Sequence, residues 1–215
     1  YHKSIGGYHG AKLQRYQDLI EVQISSEMNK IIEPLQKGQN PQSAFANTPV
    51  LNMLNDLYVI YNPQAPALKN PNALGNAWFI QNLQVVENGD QEIKGLSTIN
   101  PSTTALIKKD NASYSATKSF SGKGQIALTS YAPNKLVYSS TTSSDQFAVF
   151  SDVYYRDGKD WKVTIDGSEV DHTRVNYVLR AMKVPSGNHE IVFEFKPSSF
   201  YTGETISLVG SIIFV

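Results

Sequence analysis

The sequence predicts an α+β protein: a small N-terminal α+β unit followed by an antiparallel β-sandwich of jelly-roll type, or an open barrel. Three observations predict it. Residues 147–197 hold apolar runs that alternate with period two, Trp161-Lys162-Val163-Thr164-Ile165 and Ile191-Val192-Phe193-Glu194-Phe195, with Val192 the one apolar intruder. Between such runs stand Asp157-Gly158, Asp166-Gly167 and Ser186-Gly187-Asn188, which supply the backbone angles of tight turns. Upstream, over residues 11–108, helical and strand patterns alternate instead.

In chain order, residues 1–10 are rich in Gly, Tyr and His and lead into a helix. Its stripe is Leu13, Tyr16, Ile20, Ile24, Met28, Ile31 and Leu35, at spacings of three and four. Pro34 should end or bend it, and Gly38 should close it. After a polar connector, Thr48-Pro49 reads as an N-cap with proline at the first helical position. The short helix that follows should turn Val50, Leu51, Leu54 and Leu57 inward, and Tyr58–Tyr61 should be a strand. Residues 62–76, with three Pro and four Asn, read as an ordered surface loop. A strand is expected from Ala77 to about Val86, a helix over 89–99 and a strand over 103–107. Residues 110–124 suit a boundary, so the expected division is 1–112, 113–203 and a tail at 204–215. Past the boundary come strands near 125–130 and 135–141, then the sandwich strands. Phe147-Ala148-Val149-Phe150 is apolar on both faces, as a central strand covered twice would be. Trp161 should share a core face with Val163 and Ile165.

The chain's 215 residues suffice for a sizeable core. Nineteen basic residues balance nineteen acidic ones, which argues against nucleic acid as a partner. The absence of Cys removes disulfides, thiolate metal sites and thiol nucleophiles. Tyr1, with no signal-peptide pattern after it, reads as the start of an excised or processed piece. The uncharged run 205–215 is either a final buried strand or the first part of a transmembrane helix, shorter than the roughly 20 residues a span needs.

Few residues suggest chemistry. The N-terminal glycines lack Walker spacing, but the start of the first helix, with Lys12 and Arg15, is a candidate phosphate contact. No pair among the four His sits at metal-ligand spacing, so no metal is expected. The carboxylates from Asp152 to Asp171 fit neither a calcium loop nor a demonstrable glycosidase pair. Tyr155 and Tyr177 are candidate glycan contacts, the more exposed members of an aromatic set with Tyr154, Trp161 and Tyr201. No nucleophile elbow is present. Catalytic residues and cofactors are therefore expected to be absent, and the isolated chain catalytically silent. An uncharacterised hydrolase stands as a further alternative.

Several stretches resemble one family. They are Tyr154-Tyr155, residues 161–167, Arg174-Val175-Asn176-Tyr177-Val178-Leu179-Arg180-Ala181, residues 184–189, residues 193–197 and the Tyr201-Thr202-Gly203 step. Residues 8–13 with Arg15-Tyr16-Gln17-Asp18, and Asn72-Ala73-Leu74-Gly75-Asn76-Ala77-Trp78-Phe79, add to them. Together they resemble the late extracytoplasmic region of YfhO-type bacterial membrane proteins, with Asp160 where members often carry Gly before the Trp. The resemblance implies a polytopic envelope protein similar to GT-C glycosyltransferases, which use lipid-linked sugar donors. It places this chain at the cell membrane, on the extracytoplasmic (periplasmic) side. The tail 205–215 would run on into a spanning segment, making the transmembrane part of the same parent chain its partner. A glycan or lipid-linked sugar is the other implied partner. Catalysis in that superfamily resides in an early loop, so no catalytic residue carries over. A carbohydrate-binding sandwich is the alternative.

Overall fold

The computed structural model describes residues 4–6, 12–155 and 158–213. Most of the Gly-rich N-terminus and the Asp157 turn position therefore lie outside the described residues.

The first helix begins as α1 (Gln14–Leu19), passes through one π turn (Ile20–Ile24) and continues as α2 (Ser25–Gln36). At the π turn the Ser25 hydroxyl donates to Ile20 O at 2.8 Å. The extra residue rotates the stripe: Leu19, Gln23, Ile24, Glu27 and Ile31 are buried, while Leu13 is exposed. Pro34 stands inside α2, two residues before its end at Gln36, so the helix stops within one turn of it. Gly38, at φ +68°, closes it: Gln39 N donates to Pro34 O and Gly38 N to Leu35 O, at 2.8 and 3.0 Å.

A 3₁₀ segment (Pro41–Asn47) leads to α3 (Pro49–Met53). Thr48 does not cap α3 through its side chain, whose hydroxyl donates back to Phe45 O. Glu27 caps it instead: Val50 N and Leu51 N each donate to one of its carboxylate oxygens at 2.9 Å. Burial outweighs those two bonds and pushes the Glu27 carboxyl up from 4.5 to about 7. The folded chain then holds this proton more tightly than the unfolded chain, so the Glu27 contribution to stability falls as pH climbs from about 4.5 to about 7. Asp56, raised by burial to about 6, acts in the same sense, and His172, lowered by burial to about 4, acts in the opposite one. The expected result is a Glu27→Gln chain whose melting temperature, relative to the parent, improves between pH 5 and pH 8. A constant difference across that range would show that Glu27 does not titrate there.

The ribbon β1 (Tyr58–Val59) and β2 (Leu68–Lys69) follows, with Leu57 exposed rather than inward. The single strand expected over 77–86 divides at Gln81. β3 (Ala77–Ile80) joins the sandwich, and β4 (Asn82–Val86) pairs in parallel with β5 (Thr104–Lys108) across α4 (Gly89–Gly95). The sandwich strands are β6 (Gly124–Ala132), β7 (Lys135–Thr142), β8 (Gln146–Val153), β9 (Trp161–Ile165), β10 (Ser168–Glu169), β11 (Thr173–Val175), β12 (Leu179–Val184) and β13 (Gly187–Phe195). The β9–β10 hairpin turns at Asp166 and Gly167, with φ +50° and +82°, as the Asp-Gly pair predicts.

One sheet has the order β10-β9-β13-β7-β6 and the other β11-β12-β8-β3. Between them lie Leu136, Tyr138, Val163, Ile191 and Phe193 from the first and Ala148, Phe150 and Met182 from the second. On the other face of the four-stranded sheet, Phe147, Val149, Leu179 and Ala181 pack with Leu19, Ile31, Leu51 and Leu106. β8 is thus the central strand, apolar on both faces, that its sequence predicts. The α+β class with a β-sandwich-like arrangement is the observed architecture.

Residues 198–213 form α5 (Ser198–Ile213), so the reading of 204–215 as a final strand gives way to a helix over the described part. Pro197 has no N–H to extend the β13 ladder, and Phe200 N donates to its carbonyl at 3.1 Å. No helix among the described residues is long and apolar enough to cross a membrane.

Candidate functional site

Two residues predicted for different ligands meet each other. The Arg15 guanidinium lies 4.6 Å over the Tyr177 ring, and its Nη1 donates to Tyr177 O at 3.4 Å. The Tyr177 hydroxyl donates to Asp18 at 2.9 Å and its amide to Glu92 Oε1 at 3.0 Å. Tyr177 is only 8% exposed, so the expectation of an exposed stacking face is corrected. Its ring is consumed in docking α1 against the β11–β12 turn. Lys12 is half-buried at the entry to α1.

Beneath Tyr177 sits a carboxylate that sequence reasoning missed. Glu92 is fully buried on α4, and its Oε2 has no hydrogen-bond partner among the described residues. Burial raises its pKa, against the pull of the Tyr177 amide and of Arg174, Arg15 and Lys108. The turn it holds is strained: Asn176 and Tyr177 have φ of +48° and +70°, and Val178 N donates to Asn176 O at 2.8 Å across one residue. The Arg174–Val178 stretch gave the only advance sign of it, as a run of the family resemblance.

Tyr155 lies elsewhere. It is 36% exposed and stands 6.3 Å from Phe195, which in turn packs 5.3 Å from Trp161. Behind Trp161, partly buried rather than wholly core, is Arg180, 3% exposed, with its guanidinium 3.7 Å over the indole and 5.5 Å from Phe193. Arg180 Nε donates to Val153 O at 3.0 Å, and burial lowers its pKa to about 10. Tyr155 and Tyr177 therefore belong to two places and form no common platform.

Two clefts are open to solvent. One, of about 670 Å³, is lined by Lys30, Asn47, Asn52, Asn72, Asn100 and Ser102 among prolines and aliphatic side chains, with one cation and no carboxylate. Trp78 Nε1 braces its rim by donating to Pro101 O at 2.8 Å. The other, of about 720 Å³, is lined by Tyr114, Asp166, Glu169, Asp171, Lys183 and His189. There His189 faces Asp166 at 2.7 Å and Ser186 O at 3.1 Å, two acceptors that favour the imidazolium and raise its pKa. Among the described residues no three His, Asp or Glu converge to hold a metal.

This is a β-sandwich module whose polar clusters join its layers and whose last strand runs into a largely apolar helix with Glu204 as its one charge. Residues 96–207, 112 of 215, match the family described as bacterial membrane protein YfhO, and the chain belongs to that family. No curated protein and no solved structure matches it.

Proposed function

We propose that the chain is a non-catalytic extracytoplasmic module of a polytopic membrane protein, serving envelope glycan assembly or glycosyl transfer from a lipid-linked donor. The observation that carries this reading is α5. Its Phe200, Tyr201, Ile206, Leu208, Val209 and Ile212 are about half to two-thirds exposed, and Glu204 is its single charge. Such a helix is covered by lipid or by apolar protein, and the family is one of membrane proteins. The transmembrane part of the same parent chain is the proposed partner.

The test uses the absence of Cys from the chain. Lys123→Cys, at an exposed position, is introduced into a cysteine-free full-length protein, and whole cells are treated with a membrane-impermeant maleimide. Labelling of intact cells is the expected result; labelling only after lysis would put the module on the cytoplasmic side and sink the proposal. The amide-lined cleft favours a second reading, a carbohydrate-binding module. Asn47 and Asn72 can each donate and accept toward vicinal hydroxyls, Asn100 can donate while its Oδ1 accepts from Ser102 N and Oγ, and no carboxylate is there to act as an acid.

A further inference from the structure

The exposed apolar surface is not spread evenly. β13 delivers Phe195 to the end of the sandwich from which α5 departs. Phe195 N donates to Asn134 O at 2.8 Å, so the β6–β7 turn lies at that end, and Phe195 pairs with Trp161 at the start of β9. The end of β8 is there too, since Val153 O accepts from the Arg180 that lies on Trp161. Two residues before Val153, Ser151 Oγ stands 2.9 Å from Met53 O and 2.6 Å from Gly75 O. Those contacts hold Met53 and Gly75, which flank the β1–β2 ribbon in the chain, beside that end, and Asn70 N closes the ribbon between them by donating to Leu57 O at 2.9 Å.

That ribbon is unlike a solvated loop. Residues 57–67 carry no charge, and Leu57, Tyr58, Ile60 and Tyr61 are 47, 57, 60 and 39% exposed, with only Val59 turned in. Tyr131 and Tyr155 are exposed beside the same end, and Tyr201 lies on α5. Of fifteen large hydrophobic side chains exposed among the described residues, twelve lie at this end or on α5; Leu13, Val22 and Val85 are the others. The opposite end, around Lys123, Ser143, Ser144, Asp145 and Ser186, is polar. The apolar end also bears the exposed Lys135, Lys159 and Lys196, the last paired with Glu194 at 3.0 Å. Tyrosines and aliphatics edged by lysines suit the boundary of a bilayer, where phenol tips and ammonium groups stay wet and apolar bodies do not.

We propose that the ribbon of residues 57–67 rests in the lipid interface beside α5, a second membrane contact that seats this end of the sandwich on the bilayer. The inference rests on the reading of α5 as lying at the membrane. Occupancy by lipid is favoured because residues 57–67 share their end with the helix of a membrane-protein family and carry no charge, the exposed Lys69 at the base of the ribbon being its one cation, of a kind that lipid headgroups accept.

The experiment places single cysteines in the cysteine-free full-length protein at Ile60, at Ile206 on α5 and at Ser144 on the opposite end. Each is labelled with an environment-sensitive fluorophore in phosphatidylethanolamine–phosphatidylglycerol vesicles. Nitroxide lipids labelled near the headgroup should quench the probe at 60 strongly, lipids labelled deep in the chain should quench it less, and both should leave the probe at 144 unchanged. Quenching at 206 but none at 60 would overturn the inference and leave the α5 reading standing. No quenching at either would overturn both. A probe at 60 shielded from aqueous iodide yet untouched by nitroxide lipids would mean that a protein covers the ribbon, and the lipid assignment would fail.

Discussion

Replacing Phe193 by alanine is expected to cost about 3–5 kcal/mol of stability, the largest loss of any single truncation considered. Phe193 is 1% exposed and occupies the layer between the sheets. Its ring meets Phe150 edge-on at 4.8 Å and approaches Tyr138 and His172 at 6.0 and 5.8 Å. Such pairs add about 0.5–1.5 kcal/mol beyond the apolar area they bury. The ring also lies 5.5 Å from the buried Arg180 guanidinium, so its removal opens a void beside a charge already short of partners. Denaturant unfolding with an unchanged m-value is the measurement. A loss below about 1 kcal/mol would show that the two sheets do not depend on this ring. Trp161→Ala should cost less, because the indole is only partly buried and covers Arg180 from the outside.

That contrast marks how far the sequence could be read. Alternation identified Trp161, Val163 and Ile165 as one face, and they do share one; it could not say that the first residue of β9 sits at the open end of the sandwich. The apolar run Phe147–Phe150 was legible because both faces of β8 are covered by different layers, which leaves no polar position in the pattern. Asp166-Gly167 was legible because a two-residue turn needs two positive φ values. The failures have a common origin in long-range partners. The helix stripe was misplaced because a π turn at Ile20–Ile24 shifts the phase by one residue, and local spacing carries no sign of it. Thr48 looked like the cap of α3, yet the amides it would have taken are held by Glu27, more than twenty residues earlier. Arg15 and Tyr177 were each assigned to a ligand because their mutual contact spans 162 positions. Leu57 was expected to turn inward for the same reason: its hydrophobicity was visible, and its surroundings were not.

Asn176→Ala is expected to destabilise the chain by about 2–4 kcal/mol, combining a lost buried hydrogen bond with a left-handed backbone. Asn176 is fully buried and works as a strand residue although it stands in a turn. Its backbone N–H donates to Leu106 O and its side-chain Oδ1 accepts from Leu106 N, both at 2.8 Å, so a side chain completes a ladder step on β5. Alanine would leave the Leu106 N–H buried and unpaired while keeping a Cβ at φ +48°. Glycine would still lose the bond but would relieve the backbone, so Asn176→Gly should cost about 1 kcal/mol less than alanine. Asn176→Asp retains the acceptor and sets a second carboxylate in the turn that Glu92 already holds through Tyr177 N. Its deficit should therefore shrink on acidification, as one of the two groups takes up a proton. Chemical denaturation of the three variants at two pH values separates the contributions. Equal losses for alanine and glycine would remove backbone strain from the account, and an alanine variant as stable as the parent would remove the Leu106 bond as well. The predicted order, alanine worst and aspartate improving in acid, requires Asn176 to be both the acceptor for β5 and the residue that tolerates the turn's left-handed geometry.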